Sequence, residues 1–186
     1  MPRLFVALEP PEVLKRAIDE LQSGLRDARW LDAEALHVTL AFIGEVDPSA
    51  QRRIEEALDR VEAPALELAL HGLGHFPPRG PPRVLWTGAS PARELGSLAA
   101  AVRRELAHAG HPPERRKFAP HVTFARFRRP PPSPALQDYL GTHSLFRTSA
   151  VAIGSFRLVS SVLRPSGARY TVEADYPLAR ESPPVS

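Results

Sequence analysis

The chain has 186 residues, with 24 Lys and Arg against 21 Asp and Glu, a net charge of +3 and no cysteine. That length carries one substantial core, or two small lobes sharing an interface. The composition excludes a disulfide framework, a thiol nucleophile and a thiolate metal site, and no apolar run reaches the eighteen residues of a membrane span.

The opening segment Met1-Pro2-Arg3-Leu4-Phe5-Val6-Ala7-Leu8-Glu9 lacks the order of a signal peptide, so a cytoplasmic chain is expected. Residues 3–8 read as a strand. Pro10-Pro11 then opens a helix with Val13, Leu14, Ala17, Ile18, Leu21 and Leu25 on one stripe. Asp32-Ala33-Glu34 is a polar turn before Leu36-His37-Val38-Thr39-Leu40-Ala41-Phe42, whose period-two alternation is that of a half-buried strand. Strict alternation puts His37 with Thr39 on one face and Val38, Leu40 and Phe42 on the other. Asp47-Pro48 is an N-cap followed by Pro at the first helical position, with Ile54, Ala57, Leu58 and Val61 as the buried face.

Residues 66–71 alternate as a further strand, and 72–82, rich in Gly and Pro, read as a loop or a pair of bent strand ends. Val84-Leu85-Trp86 resumes a strand. Ser90-Pro91 repeats the cap signal, and Leu95, Leu98, Ala99, Val102 and Leu106 make the next amphipathic helix. Pro120-His121-Val122-Thr123-Phe124-Ala125-Arg126 then repeats the earlier strand, sharing His-Val-Thr-apolar-Ala with it. Ser133-Pro134 caps a short helix, 145–163 and 169–176 are closing strands joined by Arg164-Pro165-Ser166-Gly167, and the tail from Arg180 is expected to fray.

Strand 4–8 corresponds to 84–88, Pro11 to Pro91 and His37 to His121, at offsets of 80, 80 and 84 residues. This predicts a duplicated unit, with repeats of roughly 1–80 and 81–180 inside a single domain spanning 1–186. About a pseudo-twofold axis, each half would contribute one His and one Thr to a shared cleft. One imidazole can be a general base and the other a general acid at neutral pH, and the two hydroxyls can donate to non-bridging phosphate oxygens. Such a set cleaves a phosphodiester without a metal or other cofactor. A strained 2′,3′-cyclic phosphate suits it best, because water must be deprotonated on one side and an alkoxide protonated on the other.

Charge points the same way. Residues 115–129 hold six Lys and Arg and no acid, leaving a net −3 elsewhere. A basic cluster with interleaved aromatics around the second motif suits RNA or another phosphate-bearing partner. Phe76 could stack on a base or plug the interface between lobes, whereas Trp30 and Trp86 are expected in the core. His71 and His75 are four residues apart, but Gly72 and Gly74 argue against the helix a zinc pair would need, so no metal site is expected. His108, His111 and His143 show no partner.

The paired His-x-Thr-apolar motifs resemble the 2H phosphoesterase superfamily. Within it, Leu36 to Val46, Gly74-His75-Phe76 and Val84-Leu85-Trp86-Thr87-Gly88 resemble the bacterial and archaeal RNA 2′,3′-cyclic phosphodiesterases, once called 2′-5′ RNA ligases. The resemblance implies an α+β bilobal fold, with two antiparallel β-sheets facing a central cleft and helices outside. It also implies hydrolysis of terminal 2′,3′-cyclic phosphates, on RNA ends or nucleosides, to 2′-phosphates, with reversible 2′-5′ ligation. By similarity His37 protonates the leaving 3′ oxygen, His121 activates water, and Thr39 and Thr123 hold the phosphate.

Arg126 lies five residues after the second His, where an assisting arginine stands in that family. Strict alternation turns it away from His121, so either a bulge re-aims it or Arg128 or Arg115 substitutes. A monomer is expected. The rivals are an RNA-binding module without catalysis and a 2H enzyme acting on a small cyclic nucleotide, such as ADP-ribose 1″,2″-cyclic phosphate, or on an acyl carrier-like phosphodiester.

Overall fold

The structure is a computed structural model that describes residues 2–179; the expected fraying from Arg180 lies outside them. Nine strands and four helices follow in the order β1 (Arg3–Leu8), α1 (Glu12–Asp19), β2 (Ala28–Trp30), β3 (Val38–Glu45), α2 (Pro48–Leu58), β4 (Leu66–Phe76), β5 (Val84–Ser90), α3 (Ala92–His108), β6 (His121–Phe127), α4 (Ser133–Thr142), β7 (Val151–Ile153), β8 (Ser155–Arg164) and β9 (Gly167–Pro177), with a 3₁₀ turn at Ala33–Ala35. The sheet order is β7-β4-β5-β6-β3-β1-β8-β9, with β2 added to β6. All pairings between these strands are antiparallel. The order reads symmetrically outward from the β6–β3 junction, so β1 stands in one half where β5 stands in the other. The two expected sheets are thus halves of one curled path, joined at a single residue pair, Val38 with Val122.

After its second helix each half sends a strand into the other half. β4 follows α2 yet pairs with β5, and β8 follows α4 and β7 yet pairs with β1. One face of the sheet packs on the helices, where Leu4, Val6, Leu8, Val38, Leu40, Val122 and Phe124 meet Leu14, Ile18, Ile54, Leu98 and Val102 in one core. β1 is buried on both faces, because Phe5 and Ala7 form a second cluster with Val159 and Tyr170 on the opposite side.

Several local readings need correction. α1 ends at Asp19 rather than running to Leu25; Leu21 and Leu25 are buried from the turns that follow, and Val13 is 63% exposed. The apolar stripe continues past the end of the helix itself. Ser90 ends β5, and Ser133 lies inside α4, so neither is a cap, although Asp47 accepts from the Ser49 and Ala50 amides at 2.8 and 2.9 Å as expected. The expected strand from 145 begins only at Val151, and Leu145 is 89% exposed. β2 has three residues, too short to leave a periodic signal. β4 is a bent strand that runs through the Gly-rich stretch, with Gly72 as the extra residue at a positive φ of 62°.

Candidate active site

Val38 and Val122 are fully buried and face each other across the junction. Continuing that antiparallel register by one residue sets His37 opposite Thr123 and Thr39 opposite His121, all four on the face turned from the core. Diagonal neighbours of this kind stand about 7 Å apart, which leaves room for one phosphate between the imidazoles. All four residues are half-buried.

The junction stops after one pair because a bulge follows each Thr. Val6 pairs with Ala41 and Ala7 with Thr39, making Leu40 the extra residue of β3. Leu85 pairs with Ala125 and Trp86 with Thr123, making Phe124 the extra residue of β6. These bulges occupy the same place in the two motifs, three residues after each His, and they reset the alternation. Arg126 is consequently exposed on the side of His121 and Thr123, with Ala125 buried beneath it. In β3 the same shift brings Phe42 onto the cleft face, 53% exposed and stacked 6.0 Å from Phe5, which corrects its expected place opposite His37.

Each imidazole is held by the backbone carbonyl two residues earlier. His121 Nδ1 donates to the Ala119 carbonyl at 2.6 Å, and the His37 ring is bonded to the Ala35 carbonyl. A carbonyl only accepts, so the bonded Nδ1 of His121 carries its proton and Nε2 is left for chemistry. Aromatic rings back both sides. Phe5 and Tyr170 lie 4.8 and 5.7 Å from the His37 ring, while Phe76 and Trp86 lie 5.1 and 6.0 Å from His121. Trp86 is therefore at the site rather than in the core. Its indole lies against Gly74, where a Cβ would overlap the ring. Trp30 is packed on the core as expected, stacked on Phe124.

Burial lowers the pKa of His37 to about 4, aided by the positive charges of Arg126 and His121 and opposed by the Ala35 carbonyl. His37 is neutral at pH 7 in the free protein, and it shares the field of Arg126 and His121 as a common site requires. A pocket of about 200 Å³ flanks His37 and Tyr170, and one of about 240 Å³ holds Thr39, Phe42 and His121 with Arg116 and Lys117. The basic segment thus reaches the cleft through Arg116 and Lys117. Arg115 and Arg128 are exposed nearby in the chain and do not line that pocket.

Sequence reasoning missed Phe5, Phe42 and Tyr170. Phe5 shares the parity of Ala7 on β1, and that alternation was available; Tyr170 arrives from β9 by tertiary pairing alone. Among the described residues no three His, Cys, Asp or Glu side chains cluster as metal ligands, and no helix is long and apolar enough to cross a membrane.

Residues 10–162, which include both His-Val-Thr strands and their bulges, match the 2′-5′ RNA ligase superfamily. The chain belongs to this family. A protein of Archaeoglobus fulgidus named RNA 2′,3′-cyclic phosphodiesterase is 33% identical over 171 residues, spanning 90% of this chain and 96% of its own. The Thermotoga maritima protein of that name is 34% identical over 176 residues, covering 91% and 92%. The crystal structure of TT0787 of Thermus thermophilus has a TM-score of 0.78 at 28% identity, covering 97% of this chain and all of that one. This superfamily member therefore has the α+β fold of a 2H phosphoesterase.

Proposed function

We propose that this phosphodiesterase opens terminal RNA 2′,3′-cyclic phosphates to 2′-phosphates with His37 and His121 as its acid and base. The observation that carries the reading is the Val38–Val122 register, which gathers two His and two Thr on one face. The names of the relatives support the substrate, and the exposed basic segment bordering the cleft supports RNA over a small cyclic nucleotide.

The phosphate lies between the imidazoles, held by the Thr39 and Thr123 hydroxyls and by Arg126. His121, with Nδ1 committed to Ala119, takes a proton from water through Nε2 as the water oxygen bonds to phosphorus. The P–O3′ bond breaks and His37 protonates the 3′ oxygen. His37 is neutral in the free protein, so it acquires that proton with the substrate, whose anionic charge offsets that of Arg126. Phe42 and Phe76 offer faces for bases, and Arg115 and Arg128 add to the field that draws in RNA. Replacing water by an RNA 5′-hydroxyl gives a 2′-5′ linkage by the same steps.

The test is hydrolysis of a short RNA ending in 2′,3′-cyclic phosphate in excess EDTA, with wild type, His37→Ala and His121→Ala. Turnover to the 2′-phosphate is expected, with each substitution lowering the rate about 10²- to 10⁴-fold. Salt-dependent RNA binding without turnover would make the protein a binding module, and turnover of small cyclic nucleotides alone would move the substrate.

A further inference from the structure

Each of the two bulges that shape the cleft has its carbonyl bonded by a side chain from the other half. Gln22, in the turn after α1, donates through Nε2 to the Phe124 carbonyl of β6 at 3.1 Å and to the Leu31 carbonyl at 2.8 Å. Both partners only accept, so the amide NH₂ must face them. The Leu31 amide shares the Phe124 carbonyl at 3.0 Å, tying β2, the bulge and Gln22 into one knot. Arg103, on α3, donates through Nε to the Leu40 carbonyl of β3 at 3.3 Å and through Nη1 to the Arg116 carbonyl at 3.1 Å, with its guanidinium 5.9 Å from the Phe118 ring. Gln22 and Arg103 are 81 residues apart, and Leu40 and Phe124 are 84 apart, so the two contacts are counterparts across the pseudo-twofold axis.

A bulge stores a choice of direction for every side chain that follows it. Without the extra residue, Arg126 would fall on the core face of its strand, where its charge would be buried, and Phe42 would leave the cleft for the core. The bulge carbonyl is where a donor from the other half can hold the kink: at Phe124 the Gln22 amide adds to the Leu31 N–H, and at Leu40 the Arg103 guanidinium supplies the donor. We propose that Gln22 and Arg103 are positioning residues, each locking the bulge of the other half's histidine strand and thereby aiming Arg126 and Phe42 into the cleft. The role of Arg126 toward phosphate rests on the function proposed above; the aiming itself needs no substrate.

The test is NMR titration of His37, which senses the Arg126 charge. The variants are Gln22→Met, which removes the donor without adding charge, and Gln22→Leu, kept in case the first fails to fold; Arg126→Ala and the double variants complete the cycle. Releasing the Phe124 bulge is expected to raise the His37 pKa as Arg126→Ala does, with no additional rise when the two are combined. Arg103→Met is expected to leave that titration in place and to weaken RNA binding about 10-fold, the loss expected of a displaced stacking ring. A folded Gln22 variant with an unshifted His37, or a shift that adds to that of Arg126→Ala, would overturn the proposal. Inactivity of the wild type toward cyclic phosphate would sink the proposed function and leave this titration to be read by itself.

Discussion

His37 is where charge and burial meet most sharply. Its folded pKa of about 4 lies below the ordinary 6.5, so between those values the unfolded chain binds more protons than the folded one. Stability from this group is present above pH 6.5 and is lost as pH falls toward 4. Urea midpoints at pH 7 and pH 5 should fall further for wild type than for His37→Gln, which has no such proton to bind. Adding a nucleoside 2′-phosphate should move the His37 titration upward, since the anion offsets the cations that depress it. An unmoved titration with the nucleotide bound would remove His37 from the phosphate site. Phe42 and Arg126 occupy equivalent places in the two halves, one apolar and one cationic, so the duplicated site treats its two sides differently.

At the scale of elements, the site depends on what two glycines allow. Gly72 lets β4 bend, and Gly74 leaves room for the Trp86 indole close to that strand, with its ring 6.0 Å from that of His121. Gly74→Ala puts a methyl group into the indole, with an expected loss of about 1–3 kcal/mol in stability, the usual range for overpacking. Because the displaced ring borders His121, kcat should fall as well; a stable and fully active Gly74→Ala would show that Trp86 supports nothing. Asp47→Ala removes a cap that binds two amides and should cost about 1 kcal/mol in chemical denaturation with no effect on turnover. Among these features the Asp-Pro cap and the period-two strands were legible in residue order, because they depend on near neighbours. Of the bulges, that before Arg126 was legible only as one alternative and that before Phe42 not at all, since Leu40 and Phe124 are ordinary strand residues whose displacement is decided by the partners β1 and β5.

For the whole molecule, the exchange of strands decides what can fold. Residues 1–80 contain β4, whose partners lie in the other half, and lack β8 and β9, which complete the sheet beside β1. Fragments 1–80 and 81–186 should each be unstructured alone and regain far-UV ellipticity on mixing; independent cooperative unfolding of either would refute the interdependence. The basic segment from 115, remote in sequence from Thr39 and Phe42, borders their pocket because β3 and β6 meet edge to edge.

Residue order alone determined the repeated His-x-Thr, the alternation that places each His and Thr on one side of a strand, and the absence of thiol chemistry. Those follow from local geometry and from which atoms are present. Tertiary structure decided the rest: that the two motifs meet antiparallel at a valine pair, that bulges turn Phe42 and Arg126 into the cleft, and that Tyr170 and Trp86 flank the imidazoles. These depend on pairings between residues scores of positions apart, where the partner, and not the residue's own type, chooses the direction in which a side chain points.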